Sequence, residues 1–530
     1  MRAVNDPTVS SLIRATFRRY SSRIAIRTEQ GNEISFDDLQ DRVRRLVNGL
    51  LDGLELKLGD RVAVLADNRP EYIELDFACA LAGLVKVPLY MRDSPLEHLH
   101  FIEDSQAIAL VAEPQTLGPL FEVMNGDWGS LSGRVLSLDS DTPDISGVKS
   151  YESLITAASS RETIVDISPE DYYQIRYTSG TTGRPKGAAT DHRGMLAATL
   201  GNVTFHSLEC AVGPNDVFGH VMPFSHASAF NIAGHSWMGV THLPIPKWDP
   251  DRYLHHVQDD GVSISMMAPT MIAMMVNESE TLGTVDTSSL RTISYGGAPI
   301  AESVLEGALE SFGSIFTQGY GSTETPSMVV YLEKRDHVLG SERLKSCGLP
   351  CSWATVDVFK PDATLCDPGE IGEIWTRSPS ALREYINNPE ATAAATEHGW
   401  YHSGDMAMRD EEGYIFLKDR KNDMIISGGF NIYPAEVENA LMSHSAVIEC
   451  AVVPTPDKQW GEVVSAVVRL RPEMKASAEE LETHCKKSIG SYKRPRKIIF
   501  TEEPLPKSAV DKMLRRAARK KYFPSDEDNE

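Results

Sequence analysis

The stretch Tyr177-Thr178-Ser179-Gly180-Thr181-Thr182-Gly183-Arg184-Pro185-Lys186-Gly187 decides how the rest of the 530-residue chain is read. Its glycines let the backbone take left-handed conformations and approach a ligand closely. Successive main-chain N–H groups in such a loop can form a nest for anionic oxygens. The hydroxyls of Thr178, Ser179, Thr181 and Thr182 add donors, and Lys186 adds a point charge suited to phosphate. Pro185 stiffens the turn just before that lysine. The same composition also describes an ordinary surface loop. The Walker pattern G-x-x-x-x-G-K-[ST] is not met, because Pro185 precedes Lys186 and Gly187 follows it. A phosphate-binding loop of another class is the sharper reading.

The totals bound what such a loop can belong to. A chain of 530 residues with 41% hydrophobic and 24% charged residues has ordinary globular composition and is long enough for two to four domains. A net charge of −23 argues against a nucleic-acid or anionic-membrane surface, yet 52 Lys and Arg residues leave room for a basic nucleotide pocket. The seven cysteines are scattered and complete no zinc pattern; Cys347 and Cys351 form the closest pair. A reduced, cytoplasmic compartment is expected. No apolar run reaches membrane-spanning length, since Lys86 interrupts the best one, Phe77 to Tyr90. The arginines at Arg2, Arg14, Arg18 and Arg19 lack the apolar core of a secretory signal beside them.

Upstream of the loop, residues 1–170 alternate helix and strand patterns. Ser35 with Asp38 three residues on marks a helix start, followed by Leu39, Val43, Leu46 and Leu50 at helical spacing. Arg61 to Ala66 reads as a buried strand, Asn68-Arg69-Pro70 as punctuation, Tyr72 to Leu84 as a helix and Val85 to Leu89 as a strand. This rhythm predicts an α/β architecture with mostly parallel strands. Downstream, Val217 to Met222 reads as a strand ending in Pro223-Phe224-Ser225-His226-Ala227-Ser228. The methionine-rich Ser265 to Met275 suits core packing first and a greasy tunnel second. Leu290 to Tyr295 reads as a strand closed by Gly296-Gly297-Ala298-Pro299, at the carboxyl end where α/β sheets bind ligands. Thr317-Gln318-Gly319-Tyr320-Gly321-Ser322-Thr323-Glu324-Thr325 offers glycines, hydroxyls and one carboxylate. Turn signals over 345–418 predict short strands and hairpins, with Gly399-Trp400-Tyr401-His402-Ser403-Gly404-Asp405 among them. The charged run Asp419 to Asp423 has linker composition and leads to Ser427-Gly428-Gly429-Phe430-Asn431. Strand and helix patterns then resume to about Phe500, before a basic tail containing Lys512 and an acidic end.

Together and in this order, these segments resemble the adenylate-forming enzymes: acyl- and aryl-CoA synthetases, peptide-synthetase adenylation domains and luciferases. The resemblance runs from about residue 10 to 520. It implies an α/β fold with a large N-terminal adenylation domain (1–420), built of α/β layers with an added β-rich subdomain. A small, mobile C-terminal α+β lid (421–530) is expected to carry the catalytic lysine. It implies that Thr178, Ser179, Gly180, Thr181, Thr182, Gly183 and Lys186 cradle the phosphates of ATP. Gly297, Ala298 and Pro299, then Gln318, Gly319, Tyr320, Gly321, Ser322 and Thr323, are expected around AMP, with Tyr320 on adenine and Thr323 at the phosphate. Glu324 is the implied Mg²⁺ ligand, a hard carboxylate suited to that ion. Asp405 and Arg420 are expected at the ribose. The acyl pocket is assigned to His226, Phe230, Tyr295, Gly296, Gly321 and Pro326. Gly428, Gly429 and Phe430 are assigned to the pantetheine channel of CoA, Asn422 to the hinge and Lys512 to the substrate carboxylate and α-phosphate.

Two positions depart from the family pattern: the pivot is Asn422 rather than Asp or Lys, and Asp511 stands where Gly usually precedes the lysine. The implied reaction is attack of a carboxylate on the α-phosphorus of Mg·ATP, release of pyrophosphate, and transfer of the acyl group to a nucleophile. CoA is the expected acceptor, with an amine as the alternative and a non-catalytic nucleotide-binding relative as a remote third. The mixed aromatic and small pocket residues suit an aromatic, cyclic or medium-length acid better than acetate. A homodimer is a family-level expectation only.

Overall fold

The computed structural model describes residues 7–139, 143–178, 185–421, 423–427, 430–457, 460–507 and 513–524. Local signals in the first 170 residues act as written. Ser35 Oγ accepts the Asp38 N–H at 3.1 Å and Asp38 Oδ2 accepts the Ser35 N–H at 3.4 Å, a reciprocal cap that starts the helix Phe36–Asn48. Leu39, Val43 and Leu46 are buried along one face, and the chain then widens into a π turn over Gly49–Gly53 that keeps Leu50 inside.

Two large sheets share the N-terminal part. One has eight strands, in spatial order Glu384–Tyr385, Gly187–Asp191, Tyr172–Tyr177, Val85–Leu89, Arg61–Leu65, Ala109–Ala112, Val135–Ser137 and Val148–Ser150. The six from Tyr172–Tyr177 onward run parallel, and the Gly187–Asp191 and Glu384–Tyr385 strands join antiparallel. The other has nine strands, with the consecutive parallel neighbours Phe316–Ser322, Thr292–Gly296, Ile264–Met267, Val217–His220 and Thr241–Pro244 at its centre. A four-stranded antiparallel sheet (Thr355–Phe359, Ile371–Arg377, Tyr401–Arg409, Ile415–Arg420) is the added β-rich part. After Arg420 the chain passes to a small five-stranded sheet with the helices Pro434–Met442 and Ala478–Ser488. Three of its strands, Val447–Asp457, Gly461–Leu470 and Lys497–Thr501, fall on the strand patterns that the sequence shows at Ala446 to Val453, Val463 to Leu470 and Lys497 to Phe500.

The Val217 strand stops at His220, two residues before its apolar pattern ends. The reason is Asn68, read from sequence only as turn punctuation. Its Nδ2 donates to the carbonyls of His220 (2.8 Å), Met222 (2.9 Å) and Ile245 (3.2 Å), while its Oδ1 accepts the Phe224 N–H at 2.7 Å. One buried carboxamide therefore replaces a strand partner and ties the two large sheets together.

Lys86 breaks the apolar run for a physical reason as well. It pairs with Asp76 of the helix Pro70–Ala82, in which every residue from Tyr72 to Ala82 is buried. Tyr173 also donates to Asp76, at 3.1 Å. Burial and the neighbouring Arg176 guanidinium push the Lys86 ammonium pKa well down, so Asp76 is needed to hold the charge there. Glu74, on the same helix, is held by Arg42 at 2.6 Å and by the Tyr151 hydroxyl at 2.8 Å.

Removing one partner of a buried pair strands the other charge, at a cost of about 3–5 kcal/mol. Asp76→Ala should therefore lower the unfolding free energy of the N-terminal part, read from urea titration, by that order. The apolar pair Asp76→Leu with Lys86→Met should cost clearly less than the single change. Equal losses in the two proteins would show that the ion pair is not what Asp76 supplies.

Candidate active site

The strands that flank the decisive stretch form an antiparallel stem. Strands Tyr172–Tyr177 and Gly187–Asp191 pair antiparallel with Tyr177 opposite Gly187, and the stem closes through Thr178 N–H to the Lys186 carbonyl at 3.0 Å. Tyr177 anchors it by stacking on Phe101 (4.3 Å) and donating to Asp104 (2.7 Å). Thr178 and Lys186 line a cleft of ≈ 1320 Å³, whereas Ser179, Gly180, Thr181, Thr182 and Gly183 lie outside the described residues.

The opposite wall comes from the carboxyl ends of Thr292–Gly296 and Phe316–Ser322. Gly296, Gly297, Ala298, Gly319, Gly321, Ser322, Thr323 and Glu324 all face the cleft. Two of these glycines are required by packing. A Cβ on Gly296 would sit 2.3 Å from the Gly319 carbonyl oxygen, and one on Gly321 would sit 2.5 Å from the Ser327 carbonyl oxygen. Gly297, by contrast, has φ +81° and open space beside it, so its need is conformational.

Glu324 sits in the turn between Phe316–Ser322 and the returning strand Thr325–Leu332, and is 9% exposed. Its Oε1 accepts the Tyr385 hydroxyl at 2.7 Å, and Lys186 Nζ lies 5.0 Å from the Tyr385 ring centre. Tyr385 thus links the carboxylate and the cation of the site. Burial and the Glu324 charge push its phenol pKa up, so it stays a donor. No sequence signal pointed to Tyr385, which reaches the site because Glu384–Tyr385 pairs with Gly187–Asp191 just beyond Lys186. Among the described residues no three His, Cys, Asp or Glu side chains come together as a metal cluster. A single carboxylate fits Mg²⁺, which keeps waters and substrate phosphates as its remaining ligands.

Asp405 and Arg420 face each other across paired strands, and Arg420 Nε meets Asp405 Oδ1 at 2.7 Å. Tyr320 donates to Asp405 Oδ2 at 2.7 Å. Arg420 lines the cleft; Tyr320, Asp405 and Gln318 are not part of its wall, and neither are Pro299, which is exposed, and Pro326, which is buried in its strand. Burial works against the Arg420 guanidinium, but the Asp405 carboxylate and neighbouring groups outweigh it and keep the pKa raised.

Of the acyl-pocket residues, His226, Phe230, Tyr295, Gly296 and Gly321 line the cleft. Tyr295 is fully buried, and its hydroxyl is engaged with His337 Nε2 at 3.0 Å. The loop carrying His226 is held by Arg176, whose Nη1 donates to the carbonyls of Ser225 (2.8 Å) and His226 (2.7 Å) while its guanidinium lies over Phe230. Arg176 was not singled out in the sequence, although a cation in a buried strand next to the loop was a usable signal. The methionine-rich segment divides between both of its readings: Met267 and Met275 are core, and Met266 lines the cleft.

The lid-side residues are less fully placed. Asn422, Gly428, Gly429 and Lys512 lie outside the described residues. Phe430 is 55% exposed, packs on Tyr492 (4.8 Å) and is not part of the cleft wall. Lys507 and Leu514, on either side of Lys512, do line the cleft. Arg515 then clamps the tail to the hinge region, meeting Asp419 (2.6 Å), Asp423 (3.0 Å) and Glu438 (2.6 Å).

Comparison with known proteins agrees with this geometry. The family described as AMP-binding enzyme matches residues 13–386, and the AMP-binding enzyme C-terminal domain matches 436–512. A feruloyl-CoA synthase of Amycolatopsis sp is 34% identical over 495 residues, covering 93% of this chain and 94% of that protein. The amide bond synthetase McbA from Marinactinospora thermotolerans superposes with a TM-score of 0.85 at 26% identity, covering 97% of this chain and all of McbA. The o-succinylbenzoate CoA synthetase of Bacillus subtilis, solved with its acyl-adenylate intermediate, gives 0.83 at 28% identity over 95% and 97% of the two chains. The protein described here therefore belongs to the AMP-binding, adenylate-forming enzyme family.

Proposed function

We propose that this chain is an acyl-CoA ligase: it activates a carboxylic acid with ATP to an acyl-AMP, releasing pyrophosphate, and passes the acyl group to CoA. The observation that carries this reading is one cleft that brings together Lys186, Glu324 and Arg420 with an inner chamber lined by Phe230, Met266, Met328 and Tyr331 among others. A carboxylate oxygen of the acid attacks the α-phosphorus, the bond from that phosphorus to the bridging oxygen breaks, and pyrophosphate leaves. In the second step a thiolate sulfur attacks the acyl carbon and AMP leaves.

Each protein group has a role that its chemistry allows. Thr178 and the loop to Lys186 hold the departing phosphates, Arg420 with Asp405 behind it orients the ribose, and Gly297–Ala298 with Gly319–Gly321 give a flat wall for the base. Lys512 is assigned to the carboxylate and α-phosphate, where a fixed cation would offset charge that grows in the transition state. Glu324 would hold Mg²⁺, which supplies neutralisation of phosphate oxygens when bound with the nucleotide. Tyr385 keeps the Glu324 carboxylate aimed into the cleft. Asn422 is the assigned pivot between 1–420 and the lid 421–530, and Gly428–Phe430 the assigned thiol entry.

CoA is favoured because the feruloyl and o-succinylbenzoate relatives are CoA ligases by name. An amine acceptor is kept as the second reading, favoured by the close superposition on McbA. Pyrophosphate release over a panel of carboxylic acids separates the two. CoA should convert slow release into sustained turnover, whereas turnover driven only by an amine would replace the ligase reading with the amide one.

Two substitutions test the assigned roles. Lys512→Ala should slow pyrophosphate release by about 10²–10³-fold, the loss typical of one preorganised charge donor. It should still transfer the acyl group from supplied acyl-AMP; equal loss of both steps would mean the lysine acts elsewhere. Tyr385→Phe removes one hydrogen bond to a charged group, so the same assay should fall by about ten- to hundred-fold. An unchanged rate would show that Glu324 needs no such support.

A further inference from the structure

The inner part of the cleft contains polar side chains that the protein itself leaves without adequate partners. Asn202 and His206 stand four residues apart on the helix His192–Glu209, so they share one face, and both line the cleft. Asn231 lines it from the neighbouring turn. All three are at least nine-tenths buried, at 7%, 5% and 6% exposure. His206 Nδ1 is buried with no hydrogen-bond partner. The Asn231 amide reaches only the Met266 sulfur, at 3.6 Å, and Asn202 accepts the Tyr331 hydroxyl at 3.1 Å through its oxygen alone.

Other histidines in the same cluster show what satisfaction looks like. His220 is bonded to Ser228 (2.7 Å) and to His242 (2.8 Å), and His242 is bonded onward to Ser236 (2.8 Å). His206 stacks on His235 at 4.9 Å but joins no such chain. Burying a polar group unpaired costs about 1–3 kcal/mol, so the unpaired His206 nitrogen, with two part-served carboxamides beside it, points to an occupant of the cleft that pairs with them.

The surroundings define that occupant. Met266, Met328 and Tyr331 complete the wall with soft and flat apolar surface, which suits an aromatic ring. Burial pushes the His206 imidazole down to about 4, leaving it neutral, with one nitrogen to donate and one to accept. That pairing suits a hydroxyl, and none of Asn202, His206, Asn231, Met266, Met328 and Tyr331 carries a charge to meet a second carboxylate. Tyr331, which holds Asn202, lies six residues along the strand from Thr325, so these polar groups stand well away from the Thr323–Glu324 turn.

We propose that Asn202, His206 and Asn231 form a recognition point for an uncharged hydrogen-bonding substituent, a hydroxyl above all, at the far end of an extended aromatic carboxylic acid. His206 is the residue that selects for it. The inference rests on the reading of this cleft as an acid-activating site.

The test uses the full chain with cinnamate, 4-hydroxycinnamate and 4-carboxycinnamate, measuring kcat/KM for pyrophosphate release. Binding of the matching acyl-sulfamoyl adenosines is measured in parallel. The wild type should favour the hydroxylated acid by at least about tenfold over both others, since a site built to bond a hydroxyl rejects the analogue lacking it. His206→Leu should bring the hydroxyl-to-hydrogen ratio to within about twofold, and His206→Gln, which keeps a donor and an acceptor, should restore most of it. A wild-type ratio near one would mean that water satisfies these groups. That result, preference for the diacid, or an unchanged ratio in His206→Leu would overturn the inference while leaving acid activation intact. Absence of pyrophosphate release with every acid would instead overturn the proposed function, and this inference with it.

Discussion

The close return of strand Thr325–Leu332 onto strand Phe316–Ser322 is the constraint on which the site depends. It leaves no room for a Cβ at Gly321 or Gly319, where added atoms would meet Ser327 and Met328, and the next strand inward presses Gly296 against the Gly319 carbonyl. Three consecutive strands are thereby held at backbone contact. The carboxyl ends of Thr292–Gly296 and Phe316–Ser322 present a flat wall, the tight turn after the second aims Glu324 into the cleft, and the returning strand carries Met328 and Tyr331 along another side of it. Any side chain at these glycines would push on the strands and move the glycine wall, the Glu324 carboxylate and the Met328–Tyr331 side of the cleft together.

Around that wall the protein spends buried polar groups on position. Asn68 substitutes for a strand partner so that the chain can leave the sheet at His220 and form the His226 loop. Arg176 holds that loop by two carbonyls. Behind them Lys86, Asp76 and Tyr173 join the first sheet to its most buried helix. On the other side Arg515 gathers Asp419, Asp423 and Glu438, fixing the start of the tail helix three residues after Lys512. Buried charges of this kind contribute little net stability against apolar replacements of the same shape. Their value in this fold is that each admits one arrangement of two distant segments.

What the sequence made legible was whatever is local. The Ser35–Asp38 cap, the α/β rhythm, the Tyr177–Gly187 stretch and the Gly-rich turn at Glu324 are all encoded within a few adjacent residues, and the family resemblance joined them into one reaction. What it hid was long-range pairing. Tyr385 lies 61 residues from the carboxylate it supports. Asn68 looked like punctuation and acts more than 150 residues away. Lys86 registered only as an interruption, because its partner on the preceding helix is invisible to apolar patterning. The methionines of one short segment went to core and cleft by strand and helix facing. His206 and Asn231, ordinary in sequence, become informative only once burial shows that they lack partners.

The central claim is that the acid's own carboxylate oxygen forms the bond to the α-phosphorus. It is tested most directly with a carboxylic acid labelled with ¹⁸O in both carboxylate positions, turned over with Mg·ATP and CoA and analysed by mass spectrometry of the nucleotide. The account predicts one ¹⁸O atom in each AMP and none in pyrophosphate. Unlabelled AMP, or label in inorganic phosphate with ADP as the product, would contradict it.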